Sequence, residues 1–138
     1  MRTATVTVDG ATLTLSLPDG LEASPIRGGL AIRPPDAAAR RGIYEMAVTL
    51  GGAAETEKDA STTLPLDRVR GSGAEAIRYS VRREDGGSGG EEMTLIAVRR
   101  CAGGVVRLRF DAQSEDGDAI DLEPAFAVLE SARCTSGG

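Results

Sequence analysis

Apolar and polar residues alternate along most of this chain. Ala4, Val6 and Val8 interleave with Thr3, Thr5 and Thr7, and after Asp9-Gly10 the leucines Leu13, Leu15 and Leu17 interleave with Thr12, Thr14 and Ser16. A period of two gives each strand one core side and one wetter side. Asp-Gly is a two-residue hairpin turn. These segments therefore predict a hairpin, ended by Pro18-Asp19-Gly20. A short strand is expected over residues 29–33, stopped by Pro34-Pro35, and residues 36–40 suit one helical turn. Tyr44, Met46, Val48 and Leu50 alternate with Ile43, Glu45, Ala47 and Thr49, which predicts a strand over 43–50. Residues 51–61 read as a loop, and 62–70 have no decisive pattern.

The second half is more regular. Ile77, Tyr79 and Val81 alternate with Arg78, Ser80 and Arg82. Residues 93–100 are apolar on both sides (Met93, Leu95, Ala97; Ile96, Val98), as expected of a strand in a sheet interior. Val106, Leu108, Phe110 and Ala112 alternate with Arg107, Arg109 and Asp111. Glycine-rich connections at 85–90 and 102–104 make residues 74–112 a three-stranded antiparallel meander. The period then changes. Leu122, Phe126 and Leu129, with Ala125, Val128 and Ala132, recur at helical spacing. Pro124 suits a first turn. Asp121 and Glu123 sit where a helix favours acids, and Arg133 where it favours a cation. The elements predict an α+β fold, a twisted antiparallel β-sheet with the C-terminal helix packed on one face. One domain is expected over 1–134, with a disordered tail at 135–138.

Composition narrows the chemistry. The 138 residues include no His, no Trp and a single Lys, Lys58. His-based triads and His–metal sites are therefore ruled out, as is the usual general base near neutral pH. Only carboxylates remain as bases, and carboxylate pairs are too common here to indicate a hydrolase. The net charge of −5 is a poor match for nucleic acid, where phosphate neutralisation supplies most of the affinity. No apolar run approaches the ~18 residues of a membrane-spanning helix. The glycine-rich stretches lack the phosphate-loop pattern and read as linkers. No cofactor and no catalysis are expected.

The two cysteines, Cys101 and Cys134, flank predicted elements. A helix folded back on the sheet lets them meet, and a disulfide places the protein in the periplasm or outside the cell. Two separate buried thiols in a cytosolic protein are the alternative. A trimmed leader replaced by Met1 fits the first case, and the full-length precursor then has room for a lipid anchor.

Three surface features are candidates for binding. The acidic run Asp111, Glu115, Asp116, Asp118, Asp121 and Glu123 invites a calcium loop, but position 116 is Asp where the loop needs Gly, and 122 is Leu where it needs Glu. Acidic loops carrying Glu55, Glu57 and Asp59, then Glu84, Asp85, Glu91 and Glu92, then Glu115, Asp116 and Asp118 offer a surface for a cationic protein. Arg78, Arg82, Arg107 and Arg109 fall on the polar side of adjacent strands. They offer an alternative face for an anionic ligand, or a solvated face paired to nearby acids.

Leu15-Ser16-Leu17-Pro18-Asp19-Gly20-Leu21 resembles the "strand, Leu-Pro-x-Gly-Trp" opening of PsbP/Mog-like sandwich proteins, with Leu21 at the aromatic position. Phe126-Ala127-Val128-Leu129-Glu130-Ser131-Ala132-Arg133 is similar to their closing helix. Residues 35–41 depart from the pattern, leaving room only for a short helix. Small bacterial proteins of this type include periplasmic lipoproteins, type VI secretion immunity proteins and effector-loading chaperones. The resemblance implies a non-enzymatic inhibitor, a periplasmic immunity protein that binds and neutralises a secreted effector hydrolase. A lipoprotein or binding module using the arginine face is the alternative.

Overall fold

The computed structural model describes residues 2–35, 43–52, 66–85, 91–102, 104–114 and 120–136. Among the described residues, ten strands are β1 (Arg2–Val8), β2 (Ala11–Leu17), β3 (Glu22–Ile26), β4 (Gly29–Arg33), β5 (Tyr44–Gly52), β6 (Arg68–Arg70), β7 (Ile77–Asp85), β8 (Glu91–Cys101), β9 (Gly104–Ser114) and β10 (Arg133–Ser136). A 3-10 turn covers Gly73–Glu75, and one α-helix among the described residues, α1, covers Glu123–Ser131. The strands form two antiparallel sheets, a seven-stranded one in the order β3-β4-β5-β9-β8-β7-β6 and a three-stranded one in the order β1-β2-β10.

This corrects the α+β expectation. The protein is sheet-dominated, with a second layer that is itself largely a sheet. The N-terminal hairpin does not extend the main sheet. It pairs with β10, where Cys134 lies opposite Leu13 and Arg133 opposite Thr14. Of the tail expected to be disordered over 135–138, Thr135 and Ser136 pair with Thr12 and Ala11, and residues 137–138 lie outside the described residues. Alternation identifies a strand but not its neighbour, and a four-residue strand after a helix has no periodicity to read. The helical turn expected at 36–40 and the linker at 86–90 lie outside the described residues.

Each strand follows its local pattern. Asp9 and Gly10 both take positive φ at the β1–β2 turn (50° and 83°), as the Asp-Gly signal requires. Strand β3, which alternation did not single out, contains Pro25 and forms a sheet edge, where a missing N–H costs no ladder bond. Strands β7, β8 and β9 form the expected meander.

The core lies between the layers. Leu13, Leu15 and Leu17 of β2 meet Met46, Val48, Leu95, Leu108 and Phe110 of the main sheet, with Phe126, Val128 and Leu129 of α1 beside them. The four aromatic residues form two edge-to-face pairs, Tyr44–Phe110 and Tyr79–Phe126, each at 4.9 Å. Arg70 stacks its guanidinium 4.5 Å from the Phe126 ring and bonds both Glu123 oxygens, joining edge strand β6 to the helix.

Ser131 ties the helix end to β2. Its Oγ donates to the Val128 carbonyl at 2.6 Å and accepts the Ser16 N–H at 2.9 Å. Ser131→Ala leaves that N–H without its partner. The expected cost is about 1–2 kcal/mol, read as a lower urea midpoint at unchanged slope.

Candidate binding surfaces at the two ends of the sheet

The strand register gives the main sheet two chemically different ends. One end carries the close of β7, the start of β8 and the close of β9. There Glu84 stands directly opposite Glu92, and Asp85 opposite Glu91. Ser114, from which the chain runs on to Glu115, Asp116 and Asp118, is opposite Glu91. Topology thus brings Glu84, Asp85, Glu91 and Glu92 to one end. The chain bearing Glu55, Glu57 and Asp59 leaves β5 at Gly52, beside Gly104 at the other end. Those three residues, with Glu115, Asp116 and Asp118, lie outside the described residues.

These acids are not equivalent. Glu91 serves the fold. It pairs with Arg83 at 3.0 Å and accepts the Ile120 N–H at 3.1 Å, while Arg83 donates to the Ile120 carbonyl at 3.2 Å. Together they hold the backbone that leads into α1. The Ile120 N–H, then Arg83, keep the Glu91 carboxyl below the usual carboxylate range. A depressed folded pKa means stability that is present above the ordinary value and lost as pH falls through the folded one. Glu91→Gln should therefore be less stable than wild type at neutral pH, with the gap closing in acid. Urea midpoints followed from about pH 7 to about pH 3 test this; a constant gap counts against it.

Glu84 and Glu92 are exposed, and like charges directly opposite across a ladder destabilise it. Glu84 has Arg82 at 3.8 Å, and Glu92 accepts from Gln113 at 3.5 Å. Neither contact is close. Asp111, the first acid of the calcium pattern, accepts from Thr94 at 3.0 Å and from Arg109 at 2.9 Å. Asp121 accepts the Glu123 N–H at the start of α1. Among the described residues no group of three metal-ligating side chains converges.

The four arginines share the sheet face that points away from the core. Arg78 and Arg107 flank Val98 in register, Arg109 and Ser80 flank Ile96, and Arg82 and Asp111 flank Thr94. Arg109 is held by Asp111, and Arg78 donates to the Leu66 carbonyl at 3.4 Å.

At the opposite end Cys101 and Cys134 form a disulfide, with Cα atoms 5.8 Å apart and a sequence separation of 33. Beside it opens a groove of about 370 Å³ lined by Glu75, Arg99, Arg100, Cys101, Ala102, Ala132, Arg133 and Cys134. Arg99 is 6% exposed. Its Nη1 donates to the carbonyls of Leu129 (3.0 Å) and Ala132 (2.9 Å), closing the C-terminus of α1. The cation expected at that position was Arg133. Its Nη1 reaches only the Ala132 carbonyl, at 3.2 Å, from β10. Arg99 itself was not singled out, yet its signal was in the pattern. Met93, Leu95 and Ala97 put position 99 on the core side of β8, and a charge there must be paired.

A model of the type six secretion immunity 3 domain matches residues 14–133. No curated protein matches the sequence of this chain. The fold is similar to a crystal structure from Bacteroides thetaiotaomicron VPI-5482, with a TM-score of 0.55 and 13% identity over 90% of this chain. This chain spans only 45% of that protein's length. It is also similar to LpqN, involved in cell envelope biogenesis of Mycobacterium tuberculosis, with a TM-score of 0.53, 17% identity and coverage of 97% of this chain and 91% of that one. The family match runs from within β2, through the meander and α1, to the first residue of β10. On that coverage the chain belongs to the type six secretion immunity 3 domain family.

Proposed function

We propose that this immunity protein acts in the periplasm as a non-enzymatic inhibitor. It binds a secreted effector hydrolase and blocks it, using the acidic end of the main sheet. The family match over residues 14–133 carries the reading. The Glu84–Glu92 juxtaposition supports the choice of surface. Two exposed acids face each other at a cost to the ladder, and their contacts among the described residues are the long ones to Arg82 (3.8 Å) and Gln113 (3.5 Å). Such a patch steers a cationic partner and raises its association rate. The disulfide suits an oxidising compartment. No described helix is long and apolar enough to cross a membrane.

The test is inhibition of the effector that the same bacterium secretes through its type VI system. Wild type is expected to inhibit it stoichiometrically. Glu84→Lys/Glu92→Lys should weaken inhibition by about tenfold or more, mainly through slower association at low salt. Glu84→Lys alone should stabilise the fold by about 0.2–1 kcal/mol by creating an opposite-charge cross-strand pair. Weaker inhibition together with higher stability separates a binding role from a structural one. Full inhibition by the double variant sinks the acidic surface. No inhibition by wild type sinks the reading itself.

The arginine face supports a second reading, a module for an anionic ligand. There, Arg78→Ala/Arg107→Ala should abolish ligand binding and leave effector inhibition unchanged.

A further inference from the structure

The groove beside the disulfide has a charge pattern that folding alone does not require. Arg99 is the buried cation at its base. Its Nη1 satisfies carbonyls at the negative end of the helix dipole, but these are neutral groups. A buried charge needs an opposite charge close by. Here the acid facing Arg99 Nη2 is Glu75, at 3.4 Å. Glu75 sits on the 3-10 turn and is 81% exposed, a loose counter-ion standing at the groove mouth. Arg100 and Arg133 line the same groove and are exposed. Three arginines and one glutamate thus line the groove, in a chain whose net charge is −5. The remaining lining is small and apolar: the disulfide, Ala102 and Ala132. Such walls leave room for a ligand and lower the local dielectric, which strengthens charge-assisted hydrogen bonds.

We infer that this groove is a binding site for a small oxyanion, a phosphate or a carboxylate group. The anion takes the place of the Glu75 carboxylate beside Arg99 Nη2. Arg100 and Arg133 close on it from the rim. Planar guanidiniums suit both groups, because each offers paired donors to paired oxygens. Glu75 acts as an internal competitor that occupies the site when it is empty. The inference is independent of the acidic surface, which lies at the other end of the sheet.

Amide shifts of the full chain, followed by NMR during titration with inorganic phosphate and separately with citrate, test this. With at least one of the two, saturable shifts are expected at Glu75, Cys101, Ala102, Arg133 and Cys134, with a dissociation constant on the order of a millimolar. The tighter probe tells a phosphate ligand from a carboxylate one. Arg100→Ala/Arg133→Ala should weaken binding by about tenfold or more. Both side chains are exposed, and an unchanged thermal midpoint confirms that the variant folds. Glu75→Gln should tighten binding by about three- to tenfold by removing the competitor. Arg27→Ala, at an exposed turn remote in sequence, should bind as wild type does. Shifts that stay linear up to about 50 mM with both anions overturn the proposal. So does an affinity unchanged in Arg100→Ala/Arg133→Ala or in Glu75→Gln.

Discussion

Cys101→Ala/Cys134→Ala is expected to be less stable than wild type by about 3–4 kcal/mol, from the loop-closure entropy of a 33-residue separation. For a domain of this length the thermal midpoint should fall by roughly 10–15 °C. The cross-link joins the end of β8 to β10, the edge strand of the small sheet, so it also bridges the two sheets. Without it, β10 retains only its four-residue ladder to β2. Its amides should exchange with solvent well before those of β8 and β9. Calorimetry and hydrogen exchange on the oxidised protein and the double variant measure both effects. Equal midpoints would show that the ladder and the helix packing hold β10 unaided.

Arg99→Met is expected to cost about 1.5–3 kcal/mol, because it removes the charged donor shared by the Leu129 and Ala132 carbonyls, which keep only the Ala132 N–H and Arg133 Nη1, while it preserves the volume of the stem. Arg99→Ala should cost more, since a cavity is added to the same loss. Lysine should not rescue the site. One ammonium does not reproduce a planar group that meets the Leu129 and Ala132 carbonyls from Nη1 and faces Glu75 from Nη2. Arg99 and Cys101 both belong to β8, and their partners, Ala132 and Cys134, both follow α1. The losses are therefore expected to be coupled. A double-mutant cycle should give an interaction energy of about 0.5–3 kcal/mol. Urea midpoints of the single and combined variants measure it, and strict additivity would mean that the two act on separate parts of the structure.

The strands of the meander were legible because their inward positions are apolar at every second residue. A one-residue slip in such a strand moves its whole core set into water. The helix was legible from Leu122, Phe126 and Leu129, which recur at its own period. The candidate surfaces were legible in part. Glu84, Asp85, Glu91 and Glu92 are brought to one end, but Glu91 turned out to hold Ile120 in place. A carboxylate in a loop carries no mark in the sequence of the backbone it will bind. Glu75, Arg100 and Arg133 lie on three different elements, so nothing local announced that they would line one groove with Arg99.

The sequence by itself determined the strands of the N-terminal hairpin, β4, β5 and the meander, the helix, and which side of each faces the core, because local periodicity carries that information, whereas β3, β6 and β10 carry too little of it. It determined the chemistry available, with no imidazole and an excess of acids. Its pairing of Cys101 with Cys134 was one of two readings until the structure placed them together. Only the tertiary structure decided that β1 and β2 leave the main sheet to pair with β10. Strand partners are chosen by how much apolar surface two layers bury together, a sum over distant residues. The same packing separated the acidic end from the basic groove, since charges far apart in the chain meet only once the strands are in register.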